Sequence, residues 1–140
     1  MCAEQGDSPK SNIGDLSVLD PKLNTNLLSE LNPNIILVGL NISSASGGSV
    51  EPFRNFHSAS PRHMDYKIRY ATQNTPLWGA YMTDIIKNFP ERVSVKVSKY
   101  LRDNREVETE NVSFFQNELH DIGARNPTLV AFGNDTFSIL

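Results

Sequence analysis

The sequence predicts an α/β fold: three layers, with a short, mostly parallel central sheet and helices on both faces. Two segments with one spelling carry that prediction. Asn32-Pro33-Asn34-Ile35-Ile36-Leu37-Val38-Gly39-Leu40-Asn41 and Asn126-Pro127-Thr128-Leu129-Val130-Ala131-Phe132-Gly133-Asn134 each open on Asn-Pro, run through branched apolar residues and end on Gly and Asn. Proline stops a preceding helix, and an apolar run bounded by turn residues suits a strand buried on both faces, as in a parallel sheet. The third observation is the stretch between them, where Val112, Phe115, Leu119 and Ile122 recur at helical spacing.

Taken in order, residues 1–19 are small and polar without a sustained period and read as a tail. Residues 20–140 form one domain, as expected of a chain of 140 residues. Asp20-Pro21 has the form of a helix start, an N-cap acceptor followed by proline, and Leu23, Leu27, Leu28 and Leu31 then share one side. The first strand is Ile35 to Leu40. Small residues follow in Ile42-Ser43-Ser44-Ala45-Ser46-Gly47-Gly48-Ser49, a loop that lets backbone approach a ligand but lacks the fixed spacing of a dinucleotide or P-loop fingerprint.

Phe53 to Asn74 reads as a long aromatic and basic loop with a helical turn or two around Tyr66 to Ala71. The second strand lies in Gly79 to Ile86 and ends in a polar Thr83-Asp84 step. Short and longer helices over Val95 to Arg102 and Glu110 to Ile122 come next, the first burying Val97, Tyr100 and Leu101, the second stopped by Gly123. The third strand is Thr128 to Phe132, and Asp135 can cap a last helix beginning at Thr136. That helix ends on Ile139 and Leu140, two apolar residues that the rest of the sequence leaves uncovered, so a fragment or truncated product is expected.

Composition narrows the function classes. Apolar residues make up 39% of the chain, enough for a core, while no run is long enough to cross a bilayer and the N-terminus lacks a secretory signal, so a cytoplasmic protein without membrane contact is expected. Cys2 is the only cysteine, which excludes an internal disulfide, a four-cysteine zinc site and an iron-sulfur cluster on the chain's own thiolates. His57 and His63 with Asp65 have no third ligand at a metal-binding spacing, and no metal is expected. The net charge of −3 conceals a basic middle: Val50 to Arg102 holds nine Lys or Arg against four acids, about +5. Phosphate responds to a local basic face, so a nucleic-acid partner is permitted; a solvated surface of mixed charge is the alternative.

Ligands of open α/β sheets bind beyond the carboxyl ends of the strands, which singles out Asn41 and Asn134. At Gly39-Leu40-Asn41 the pattern resembles the uracil-DNA glycosylase superfamily, nearest its mismatch-specific uracil/thymine branch, where a strand ends in Gly-(Ile/Leu)-Asn-Pro-Gly and a Pro-Phe pair follows a small-residue loop. Pro52-Phe53 stands at the matching distance, Met82-Thr83-Asp84-Ile85-Ile86-Lys87 resembles the family's second strand, and Phe115-Gln116-Asn117-Glu118-Leu119 with Pro127 to Gly133 resembles its Glu-Leu helix and third strand. Two departures stand out. Ile42-Ser43 replaces the Pro-Gly, and the family's second catalytic motif, a His or Asn loop after a fourth strand, would lie beyond Leu140.

The resemblance implies hydrolysis of the N-glycosidic bond of uracil or a related base in uracil-containing or mismatched DNA, with no cofactor. Such a reaction builds negative charge on the leaving base, so it needs a placed water, donors to the base carbonyls and a platform for the extruded nucleotide. Asn41 would orient the water. Backbone N–H groups of Gly39, Leu40, Ile42 and Ser43 would face the base, Phe53 would stack on it with Phe56 nearby, and Thr83, Gly133 and Asn134 would contact the substrate. An amide cannot take a proton at neutral pH, so slow chemistry is expected. Plainer roles remain open for each: Asn41 shaping a turn, Phe53 and Phe56 anchoring a loop, Thr83-Asp84 capping a turn, Asp135 capping the last helix. At the level of function the alternatives are an inactive nucleic-acid or nucleotide-binding module and a flavodoxin-like protein with another ligand.

Overall fold

The computed structural model describes residues 14–43, 54–58, 60 and 65–140. It is an α/β chain with a small, open, all-parallel sheet of three strands: β1 (Asn32–Asn41), β2 (Ala80–Ile86) and β3 (Thr128–Ala131). The order is β2-β1-β3, which puts β1 in the middle. The helices are α1 (Leu27–Glu30), α2 (Asp65–Thr72), α3 (Ser94–Asp103), α4 (Arg105–Asp121) and α5 (Asn134–Ile139).

The central place of β1 follows from its sequence. Ile36, Leu37, Val38 and Gly39 are all buried, an unbroken run that only a strand covered on both faces can bury. β3 pairs with it in parallel, Ile35 opposite Thr128 through Val38 opposite Ala131, and the Phe132 N–H donates to the Val38 carbonyl at 2.8 Å. Alternation then divides the faces. Ile36 and Val38 join Ile85, Ile86, Val97, Leu101 and Phe115 in one core cluster, which is where α3 and α4 lie.

By contact the chain forms two compact units, residues 1–32 with 50–80 and residues 33–49 with 81–140. The second holds the core cluster. Within the first, Gly79 is required by its conformation and its surroundings: φ is +79°, and a Cβ there would overlap the carbonyl oxygen of Glu30. Its own carbonyl receives the Asn32 N–H at 2.8 Å. Gly79→Ala is therefore expected to lower stability by about 2–4 kcal/mol, read as a fall in the denaturant midpoint with unchanged slope.

Several elements differ from the sequence reading. The helix expected from Asp20 shrinks to one turn over Leu27–Glu30, with Leu27 buried but Leu23 and Leu28 72% and 82% exposed. Asn24 Oδ1 takes the Asn26 N–H and Asp20 Oδ1 takes the Lys22 N–H, local bonds that compete with the helical ladder. β2 runs on through Thr83-Asp84, and both are buried in mid-strand, so the pair caps no turn. α4 begins five residues earlier than the periodicity indicates, because its first turns carry acids that suit a helix N-terminus instead of apolar residues. Asp135 lies inside α5; Gly133, with φ +95°, occupies the N-cap position, and the Asp135 carboxylate accepts from Ser98 Oγ at 2.6 Å. Ile139 packs against the core cluster, while Leu129, Phe132, Phe137 and Leu140 are exposed along the β3 side.

Asn111 shows how closely α4 is fitted to the sheet. It is fully buried; its Oδ1 accepts the backbone N–H of Lys87 at 2.7 Å and its Nδ2 donates to the Val107 carbonyl at 2.8 Å. Asn111→Leu leaves that N–H without an acceptor in the interior, and a stability lowered by about 1–3 kcal/mol, measured by denaturant unfolding, is the expected result.

Candidate functional site

The carboxyl end of β1 meets the segment that follows β2. Asn41 closes the strand, and its Nδ2 lies 3.1 Å from the Ile42 carbonyl oxygen, 3.0 Å from that of Phe89 and 2.9 Å from that of Glu91. Three acceptors around one NH2 fix which way the amide points, because an oxygen in that position would meet only other oxygens. The Glu91 N–H closes the join by donating to the Ile42 carbonyl at 3.1 Å. Phe89 is held from the other side, its ring stacked on Tyr100 of α3 with centroids 4.1 Å apart and planes 3° from parallel.

Asn41 Oδ1 accepts no hydrogen bond from a described residue, and the side chain is half-buried. The arrangement therefore fixes an acceptor at the rim of the central strand. It can orient a donor, water included, but cannot remove a proton.

Glu91 also sets the start of α3. Its Oε1 accepts the Val93 N–H at 3.0 Å and its Oε2 lies 3.5 Å from Lys96 Nζ. The Val93 N–H, then Lys96, hold its carboxyl below the ordinary 4.5. A lowered acid contributes its stabilisation fully above the unfolded value and loses it as the pH falls through the folded one. Amide exchange at Val93 is accordingly expected to speed up on acidification below about pH 4.5, relative to amides in the middle of α4.

The other expected site residues are placed as follows. Gly39 is buried, Leu40 and Ile42 half-buried and Ser43 exposed, all at the end of β1. Gly133 and Asn134 are exposed beyond β3, on the same edge of the sheet as Asn41, because the two strands run in parallel register. α5, at six residues, is a short cap to that edge. Phe56 is half-buried in a 3-10 turn over Arg54–Phe56 of the first unit, and Phe53 lies outside the described residues. Trp78 is half-buried.

Thr83 belongs to a polar cluster that sequence reasoning missed. Its Oγ1 donates to Glu118 at 2.9 Å from Oε1, and Tyr81 Oη donates to the same oxygen at 2.7 Å. Lys87 Nζ completes the group, 2.7 Å from each of Thr83 Oγ1, the Asp84 carbonyl and Glu118 Oε2. All three ammonium protons of Lys87 have acceptors, so the cluster is saturated and ties β2 to α4. Burial, then the Glu118 carboxylate, pushes the Tyr81 hydroxyl well above its ordinary 10.0, keeping it a donor at every physiological pH. The only signal in the sequence was the alternation Tyr81, Thr83 on one strand face and a lone Glu118 on the inward side of a helix.

Among the described residues, no three His, Cys, Asp or Glu side chains gather as a metal site, and no helix is long and apolar enough to cross a membrane. Comparison with models of protein families, with curated proteins and with solved structures finds no match.

Proposed function

We propose that this chain is a uracil-DNA glycosylase-like protein of base-excision repair, a three-layer α/β domain that hydrolyses the N-glycosidic bond of uracil or a related damaged base in DNA. The observation that carries the reading is Asn41. It ends the middle strand of a parallel sheet, where such folds build their sites, and its amide is clamped so that Oδ1 is left to orient an attacking water. Leu40, Ile42 and Ser43 flank it in the positions where the sequence resemblance sets the donors to the base, and Gly133 and Asn134 share its edge of the sheet.

The chemistry assigned to Asn41 is positioning without proton transfer, so the reaction is slow and belongs in single turnover with enzyme in excess over an oligonucleotide. Free uracil released from single-stranded uracil DNA or from a G·U mismatch is the expected product; intact glycosidic bonds in both substrates at high enzyme would overturn the reading. Phe53→Ala is expected to weaken binding of a uracil-containing strand by about 1–3 kcal/mol, the worth of one base-aromatic stack, with little change in melting temperature.

One observation favours the alternative of an inactive nucleic-acid-binding module. Glu91 is the only acid among the residues bonded to Asn41, and its carboxylate is taken by the Val93 N–H and Lys96. DNA binding that weakens with salt, unaccompanied by base release, identifies that module.

A further inference from the structure

The basic middle of the chain resolves, in part, into one row on α3. Lys96, Lys99 and Arg102 follow one another at intervals of three residues, opposite the buried Val97 and Leu101, and all three are exposed. Arg92, also exposed, precedes the helix. Arg92, Lys99 and Arg102 form no ion pair among the described residues, and Lys96 has only the 3.5 Å contact with Glu91. Asp103, at the far end, is the one carboxylate in α3. Neighbouring α4 has the opposite character, with Glu106, Glu110 and Asp121 exposed. A polyanion would thus meet attraction on one helix and repulsion on the next.

α3 is also fastened to the rim of β1. Asn41 Nδ2 bonds the carbonyls of Phe89 and Glu91, Phe89 stacks on Tyr100, and Glu91 holds the first amide before the helix. The row from Lys96 to Arg102 extends about 9 Å along the axis, comparable to two or three nucleotides of one strand at a rise of about 3.4 Å each.

We propose that the outward face of α3, with Arg92, Lys96, Lys99 and Arg102, receives the phosphate backbone of DNA whose target nucleotide lies at Asn41. The inference rests on the reading of Asn41 as the site of base release and adds the surface that docks the substrate. Binding there is electrostatic and indifferent to sequence, so it governs affinity and salt response, not base choice.

The test is the affinity of the whole chain for a fluorescent duplex, with and without uracil, across about 50 to 200 mM salt. In the variant K96Q/K99Q/R102Q, each lost phosphate contact is expected to lower the slope of log K against log salt by about 0.9, about 2 to 3 in all, and affinity by about 10-fold or more at the lower salt. R105Q serves as the control, since Arg105 already bonds Glu108 at 2.9 Å, and is expected to match wild type, as are the melting temperatures of both variants. An unchanged slope in the triple variant overturns the proposal, as does preference of the wild type for anionic vesicles over duplex. Uracil release separates the two readings: release with an unchanged slope removes only the α3 face, whereas a reduced slope without release removes only the glycosylase.

Discussion

Asn41→Ala is expected to lower single-turnover base release by about 10²-fold or more and to reduce stability by about 1–3 kcal/mol. The two effects come from opposite ends of one amide. Loss of Nδ2 strands the carbonyls of Phe89 and Glu91, that of Ile42 keeping the Glu91 N–H, and loss of Oδ1 frees the water. Asn41→Asp separates them. A carboxylate cannot donate to those carbonyls, so stability falls at least as far as in the alanine variant. It keeps an acceptor and gains a basic oxygen, so release is retained or accelerated. A purely structural asparagine predicts that both variants lose stability and release together.

Glu118→Ala is the substitution with the next largest expected effect. It removes the common acceptor of Tyr81 and Thr83 and leaves Lys87, with only 29% of its side chain exposed, without a counter-charge. Breaking a partly buried pair from one side costs about 2–4 kcal/mol, less than for a fully buried one because water reaches both partners. Lys87→Met in the same chain removes the uncompensated charge and should restore part of the loss. The coupling in that double-mutant cycle, measured by denaturant unfolding, gives the strength of the β2-α4 tie. Base release is expected to follow the folded fraction in both variants, since Thr83, in the middle of β2, is bonded to Glu118 of α4.

How much of this was written in the sequence depended on the kind of signal. β1 was legible because Ile36 to Gly39 is an apolar run that follows Asn-Pro, and burial on both faces leaves that mark. β3 carries the same spelling and pairs as expected, but its Thr128 and Leu129 are exposed, so there the apolar run marks a strand without two-faced burial. α3 was legible because Val97, Tyr100 and Leu101 recur at helical spacing. The first turns of α4 were not, since Arg105 to Glu110 contains only Val107 as an apolar residue and charge alone has no period. Leucine spacing misled at Leu23 to Leu31, where the Asp20 and Asn24 side chains bond the backbone locally and outweigh a weak apolar stripe.

The site shows the same division. Asn41 could be found because it ends a strand that could be found. Its partners Phe89 and Glu91 are 48 and 50 residues away, and Glu118 is 35 residues from Thr83; no local pattern links such positions. The basic excess of the middle region was visible as a count, but its concentration on α3 needed the helix to be phased against Val97 and Leu101.

Base release by the wild-type chain and by Asn41→Ala, with each protein's folded fraction measured in the same buffer, tests the central claim most directly. If Asn41 positions the water, the wild type liberates free uracil slowly and the variant loses about 10²-fold after correction for unfolded protein. Equal release per folded molecule by the two, or none from the folded wild type on either substrate, contradicts it.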